Sequence, residues 1–160
     1  MYQPTPEDLH FLQLAVEQAL EAEAEGNLPI GAVITLAGEV IAAGHNRIVK
    51  PIYNPGLHAE IDTIRRVPVE LWPQAKAMTV YTTLEPCVMC MGTIVLHGIG
   101  RVVFGAYDKA GGSSITLAHL PGYYASGGKP EWLGPGAPDL CDPLYERVAK
   151  RFPELPCGKV

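Results

Sequence analysis

A chain of 160 residues, 48% apolar and 18% charged, has the length and composition of one globular domain able to bury a core. It holds no run of about 18 apolar residues, which excludes a membrane-spanning helix. Its formal net charge of −5 argues against a partner held mainly through phosphate contacts, because those need a local excess of Lys and Arg. The opening stretch MYQPTPEDLH has no basic segment followed by an apolar one. No signal peptide is expected there, and a cytoplasmic location is the default.

Thr5 followed by Pro6, Glu7 and Asp8 marks a helix start: an N-cap, a proline in the first turn, and acids at the positive end. Leu9, Leu12, Val16 and Leu20 then recur at helical spacing, and Gly26-Asn27 stops the run. Two β-rich segments around Ala37-Gly38, from Pro29 to Asn46, predict a hairpin. A loop broken by Pro51 and Pro55 leads to a second helix, from about Leu57 to Arg66. Met78 to Thr83 reads as a strand. Cys87 to His97 reads as a third helix closed by Gly98, and Arg101 to Ala106 as another strand. Helices alternating with strands in this way predict an α/β domain on one central sheet.

Beyond Leu120 the composition shifts. Residues 121–138 hold nine Gly or Pro among eighteen, which predicts a long irregular loop, of the kind that is usually functional or mobile. A last helix is expected over about Asp142 to Phe152. The whole reads as a single domain over 1–160, with a core over about 5–120, the 121–138 loop and a helical tail over 139–160.

The stretch YTTLEPCVMC, Tyr81 to Cys90, carries the strongest chemical signal. Cys87 and Cys90 lie one turn apart at the start of an apolar helix, where the dipole and unpaired N–H groups favour thiolates. His58 opens the second helix and Glu60 follows two residues on. If the two helix starts face each other, His58, Cys87 and Cys90 converge. One imidazole and two thiolates suit Zn²⁺, one ion per chain, and leave a fourth position open as in catalytic sites. Glu60 then stands beside the metal as a group for moving protons.

Other readings of the thiols remain. A thioredoxin-like redox pair shares the Cys-x-x-Cys spacing but has no use for His-x-Glu. A structural zinc knuckle needs a fourth ligand, for which His45, His97 and His119 are available on paper, although His97 lies at the far end of its helix. A zinc-stabilised module without activity would not need Glu60. Cys141 and Cys157 have no His or Cys nearby and read as idle thiols.

HAE at 58–60 with PCVMC at 86–90 is the His-x-Glu…Pro-Cys-x-x-Cys pattern of the zinc nucleoside and nucleobase deaminases. The likeness extends over about residues 28–114. LEPCVMC, IGRVVFGAYDKAGG and HNR resemble bacterial tRNA adenosine deaminases. GHN, LHAEIDTI and YTTLEPC are also similar to fungal cytosine deaminase and bacterial guanine deaminase. The resemblance implies a cytidine deaminase-like three-layer α/β/α sandwich with one central mixed sheet. It further implies a homodimer, and apolar surface on the third and first helices is available to serve it. It implies hydrolytic removal of an exocyclic amine, with Glu60 acting as base and then as acid. Asn46 would bond the base or sugar, or else cap its own turn. The Ala59 N–H would donate to a ring carbonyl and the Glu85 carbonyl would accept from the amine. The Glu85 side chain reads as a solvated turn acid. Tyr123, Tyr124 and Trp132 are candidates either to stack on a flat base as a lid or to anchor their loop.

The tRNA enzymes usually end in a helix rich in Arg and Lys. Residues 121–160 here carry five bases, Lys129, Arg147, Lys150, Arg151 and Lys159, against five acids. On that balance the expected substrate is a free nucleobase or nucleoside, with adenosine in tRNA as the alternative.

Overall fold

The computed structural model describes residues 2–158. Helix α1 (Pro6–Ala24) begins on a capping box: the Asp8 N–H donates to Thr5 Oγ1 at 3.1 Å and the Thr5 N–H donates to Asp8 Oδ2 at 2.9 Å. Strands β1 (Gly31–Leu36) and β2 (Glu39–His45) form the expected hairpin. Its two turn residues, Ala37 and Gly38, both have positive φ, 53° and 81°. That conformation matches the twist of a tight hairpin, and glycine adopts it without strain. Helix α2 (Ala59–Ile64) and a 3₁₀ stretch, Val69–Ala77, follow. Then come β3 (Thr79–Leu84), α3 (Val88–Leu96) and β4 (Arg101–Ala106).

The five strands run in the order β2-β1-β3-β4-β5, where β5 is Glu131–Leu133. β1 is antiparallel to β2 and β3, whereas β3, β4 and β5 are mutually parallel. Alternate residues of each strand enter different cores, as the two-residue period of a strand demands. Val33, Tyr81 and Val103 face Phe11, Leu12 and Leu144. Ile34, Val80 and Val102 face Ile64, Ile94 and Ile99. One layer therefore holds α1 and the last helix, the other α2 and α3, with the mixed sheet between them. This is the expected sandwich of the cytidine deaminase type. No helix among the described residues is long and apolar enough to cross a membrane.

Three expectations need correction. After β4 and the short helix α4 (Ser114–Ala118), the stretch 121–138 is not wholly irregular: it contains a short helix, α5 (Gly122–Ala125), and the edge strand β5. Three residues of parallel pairing to β4 are too short a pattern to show through the Gly and Pro around them. The last helix, α6 (Pro138–Arg151), starts earlier than Asp142 because Pro138 occupies its first turn. In α1, Leu9 and Leu20 are exposed. The buried face runs instead through Phe11, Leu12, Ala15, Val16, Ala19 and Ala22. Small alanines let α1 lie directly on β1, where a Cβ at Gly31 would sit 2.2 Å from the Ala15 carbonyl oxygen.

Asp8 also ties α1 to the sheet. Its carboxylate accepts from Arg101 Nη1 at 2.7 Å, Tyr2 Oη at 2.7 Å and Tyr81 Oη at 3.1 Å. Burial alone would raise its pKa, but hydrogen bonds from Arg101, Tyr2 and Thr5 outweigh burial and hold the carboxyl well below the usual carboxylate range. Removing one partner of such a pair strands the other, which typically costs about 3 kcal/mol. Arg101→Leu should therefore lower the urea-unfolding free energy by about 3 kcal/mol. Because folding depresses the Asp8 pKa, the pair's contribution is complete above the unfolded value of about 3.9 and fades as the pH falls below it. The loss in Arg101→Leu should accordingly be larger at pH 6 than at pH 2.5.

Candidate active site and metal centre

Two helices begin at the same place. His58 is the N-cap of α2 and Cys87 the N-cap of α3, each with extended backbone and neither with a side-chain capping bond. Both side chains turn instead towards one point, where the Cys87 Sγ lies 3.6 Å from His58 Nδ1. Cys90, one turn into α3, is fully buried beneath them. The three ligand atoms lie within 4.8 Å of one another. Zn–S bonds of about 2.3 Å and Zn–N bonds of about 2.0–2.1 Å at a tetrahedral angle require an S···N separation of about 3.5 Å. The donor set and its spacing thus fit Zn²⁺.

The local electrostatics agree. The Cys87 thiol is lowered to about 4, first by its hydrogen bond with Cys90 and then by His58 beside it, against the opposing effect of burial. Cys90 is pushed well above its usual value by its hydrogen bond to Cys87 and by burial. Burial acts to lower His58, but the Cys87 and Glu60 charges outweigh it and raise the imidazole. Thiolates and a neutral imidazole are the forms that bind a divalent cation, so binding at this cluster is coupled to loss of protons.

Glu60 is 3% exposed, and its Oε1 accepts from Thr82 Oγ1 at 3.1 Å. Its pKa is raised, chiefly by burial, with the Cys87 charge adding to that and His58 opposing it. A carboxyl moved up from its ordinary range can both take and return a proton near neutral pH.

No fourth His or Cys joins the cluster among the described residues. His45 Nε2 lies 3.0 Å from Glu25, His97 stacks on Trp72 at 4.5 Å, and His119 closes the short helix α4 (Ser114–Ala118). The closed structural knuckle therefore lacks its ligand. Cys141 is buried beneath Gly105, its thiol pushed up to about 12 by burial, and Cys157 is half-buried.

A cavity of about 390 Å³ opens above the cluster. His58, Glu60, Leu84, Glu85 and Cys87 form its floor, and Leu28, Ile30, Asn46 and Ile48 one side. Asn46 is fully buried. Its Oδ1 accepts from the Ile48 N–H at 3.1 Å while its Nδ2, at the cavity, has no partner. One side chain thus serves both as a turn cap and as a free donor. Ala59 opens α2, so its N–H is among the four without an intrahelical acceptor.

Glu85 departs from expectation. Its side chain is 5% exposed rather than solvated, and it accepts from the Ser114 N–H at 3.0 Å and from the Ser114 hydroxyl. A Cβ at Gly112 would lie 2.2 Å from Glu85 Oε2, so only glycine leaves room for this carboxylate. The aromatic lid is not formed either. Tyr123 is 77% exposed, Tyr124 packs on Met91 and Val95, and Trp132 packs on Phe104. None of the three lines the cavity. A second wall comes from Tyr145, Val148, Ala149, Phe152 and Pro153, on α6 and the turn after it. The sequence predicts a helix here but does not assign it to the site. The signal was the apolar spacing of Leu144, Val148 and Phe152.

A three-layer mixed sheet that brings a His-Cys-Cys cluster against a buried Glu defines a zinc deaminase. Residues 5–106 match the cytidine and deoxycytidylate deaminase zinc-binding region, and the chain belongs to that family. It is 40% identical over 116 residues to a tRNA-specific adenosine deaminase of Bacillus subtilis, covering 71% of each chain. A solved structure from work on A-to-I editing by tRNA:A34 deaminases at the wobble position superposes with a TM-score of 0.68 at 34% identity, covering 79% of this chain and 98% of that one. Guanine deaminase from Bacillus subtilis superposes with a TM-score of 0.55 at 33% identity, covering 62% and 64%.

Protein purified without a metal-binding tag should contain about one Zn²⁺ per chain, as expected for a three-ligand site. Cys87→Ala combined with Cys90→Ala should abolish it. Elemental analysis is the measurement, and full zinc retention in the double variant would refute the ligand assignment.

Proposed function

We propose that this chain is a hydrolytic deaminase that converts adenosine in a tRNA to inosine. The observation that carries this reading is the 40% identity to a tRNA-specific adenosine deaminase over 116 residues. The tRNA:A34 deaminase superposition supports it. The reaction adds water and releases ammonia at the ring carbon that bears the exocyclic amine.

Each residue of the floor has a task. Held by His58, Cys87 and Cys90, a zinc ion would supply Lewis acidity that brings the pKa of a water towards about 7. Glu60 takes a proton from the attacking water and passes it to a ring nitrogen of the base. It then carries the second proton to the departing amine. One carboxylate in both roles avoids a second titrating group, and its burial keeps the proton from bulk water. The unpartnered Nδ2 of Asn46 donates to the base or sugar. The Ala59 N–H and the Glu85 carbonyl hold the ring edge. The apolar side walls, Leu28, Ile30 and Ile48, take its faces. A homodimer is part of the same reading, through the exposed Val88, Met89 and Leu96 on α3.

A specific observation favours a second reading, a free nucleobase or nucleoside as substrate. Among the described residues, no Lys or Arg lines the cavity. Two of the tail's bases already have partners within the chain: Arg147 pairs with Glu23 at 2.8 Å at the surface, and Arg151 donates to the carbonyls of Gly26 and Asn27. Lys159 lies outside the described residues. Single-strand RNA recognition ordinarily combines a basic track with stacking aromatics.

Inosine formation in an adenosine-bearing tRNA anticodon hairpin, run beside ammonia release from adenosine, adenine, guanine and cytosine, separates the two. Turnover of the hairpin is the expected result. Turnover of a free base or nucleoside with none of the hairpin would replace the first reading by the second. On whichever substrate reacts, Glu60→Gln should keep its zinc and fold yet lose at least about 10²-fold in turnover, since Gln has the shape but cannot move a proton. Near-normal turnover in zinc-replete Glu60→Gln would exclude this mechanism.

A further inference from the structure

The two side walls of the cavity come from segments far apart in sequence, and both hang on one residue. Asn27 follows the last turn of α1 and is fully buried. Its side-chain Oδ1 accepts from the Val49 N–H at 3.0 Å and the Lys50 N–H at 2.8 Å. These bonds pin the loop that carries Ile48 on the near wall. Its backbone carbonyl accepts from Arg151 Nη1 at 2.8 Å, while Arg151 Nη2 donates to the Gly26 carbonyl at 2.6 Å. That guanidinium is the last residue of α6, immediately before Phe152 and Pro153 on the far wall. Leu28, next along the chain from Asn27, lines the cavity as well.

We infer that Asn27 and Arg151 form a clasp that sets the width of the substrate cavity, and that both are positioning residues for the deamination. The inference rests on the deaminase reading and deepens it by naming what fixes the pocket's selectivity. Three features of the clasp suit that task. Arg151 spans two successive carbonyls with two N–H groups, so it fixes direction as well as distance, and a charged donor strengthens both bonds. Asn27 takes the far wall through its main chain and the near wall through its side chain. A shift of one wall is thereby transmitted to the other. Neither residue touches the metal cluster, so the clasp can change width without disturbing the floor. A flat base held between apolar walls is sensitive to their spacing, because misplacement of about 1 Å can cost a large factor in rate.

Arg151→Ala is the test, on the substrate that the unaltered enzyme turns over among the tRNA hairpin, adenosine, adenine, guanine and cytosine. The expected outcome is a KM raised about tenfold with kcat within about threefold, the pattern of lost substrate positioning with an intact reacting centre. Zinc content should be unchanged. Arg151→Lys, which keeps one charged donor, should recover part of the loss. Arg147→Ala removes an exposed tether of α6, whose partner Glu23 does not line the cavity, and should leave KM within about twofold. Amide hydrogen exchange at Val49 and Lys50, read without substrate, should accelerate in Arg151→Ala because the far wall and the near wall share Asn27.

Unchanged KM in folded, zinc-replete Arg151→Ala overturns the proposal, as does an equal effect from Arg147→Ala. So does wild-type exchange at Val49 and Lys50. Should Arg151→Ala fail to fold, Arg151→Gln is measured against the same criteria. If the unaltered protein turns over none of the five compounds, the deaminase reading fails, and the exchange measurement still decides whether the clasp exists.

Discussion

Two helix N-termini meet at one point, and the rest of the molecule is arranged to allow it. An N-cap side chain ordinarily bonds back to its own helix. His58 and Cys87 both forgo that bond and point at each other. Two positive helix ends brought together would repel, and unpaired N–H groups would go unsatisfied. The depressed thiol of Cys87 places negative charge where the two dipoles converge. The metal cluster is therefore electrostatically linked to the folding of α2 and α3. The sheet supplies the platform. β3 and β4 are parallel, so their carboxyl ends lie side by side. The segments that follow them carry Glu85, Cys87 and Asp108 to the cavity. A ligand crevice beyond the carboxyl ends of parallel strands is the general rule for open α/β sheets.

Glu85 shows how tightly that platform is specified. Its N–H donates to the Ala106 carbonyl at 2.9 Å, which continues the β3–β4 pairing one residue past the strand. Its side chain reaches across to Ser114, and Gly112 makes way for it. The Ser113 hydroxyl donates to the Pro86 carbonyl at 2.6 Å. The turn before Cys87 is thus held from both sides by residues 112–114. This explains why a glycine-rich stretch, Ala110-Gly111-Gly112, stands where a loop alone would tolerate many sequences.

Much of this was legible in the sequence. The capping box, the hairpin at Ala37-Gly38 and the pairing of HAE with PCVMC are local patterns, and local patterns survive the absence of coordinates. The metal cluster was legible for the same reason, since each helix start announces its N-cap. What escaped depended on contacts between distant residues. β5 is three residues long and exists only because β4 offers an edge. The carboxylate of Glu85 looked like a turn acid because Ser114, 29 positions on, could not be placed beside it. The tail showed the same limit in another way. Counting its bases against its acids gave a sum, but the sum could not say that Arg147 pairs with Glu23 at the surface and that Arg151 bonds the carbonyls of Gly26 and Asn27.

Those contacts bear on where specificity resides in this fold. The family match ends at residue 106 and takes in the cluster and its carboxylate, His58, Glu60, Cys87 and Cys90. It takes in the cavity residues Leu28, Ile30, Asn46 and Ile48 as well, whereas Tyr145, Val148, Ala149, Phe152 and Pro153 all follow residue 106. The wall is mainly apolar and its neighbouring arginines are held against α1, so it discriminates by shape and stacking more than by charge. An RNA strand entering such a pocket would owe its affinity to the base held inside and to basic residues elsewhere on the surface, rather than to the wall beside that base.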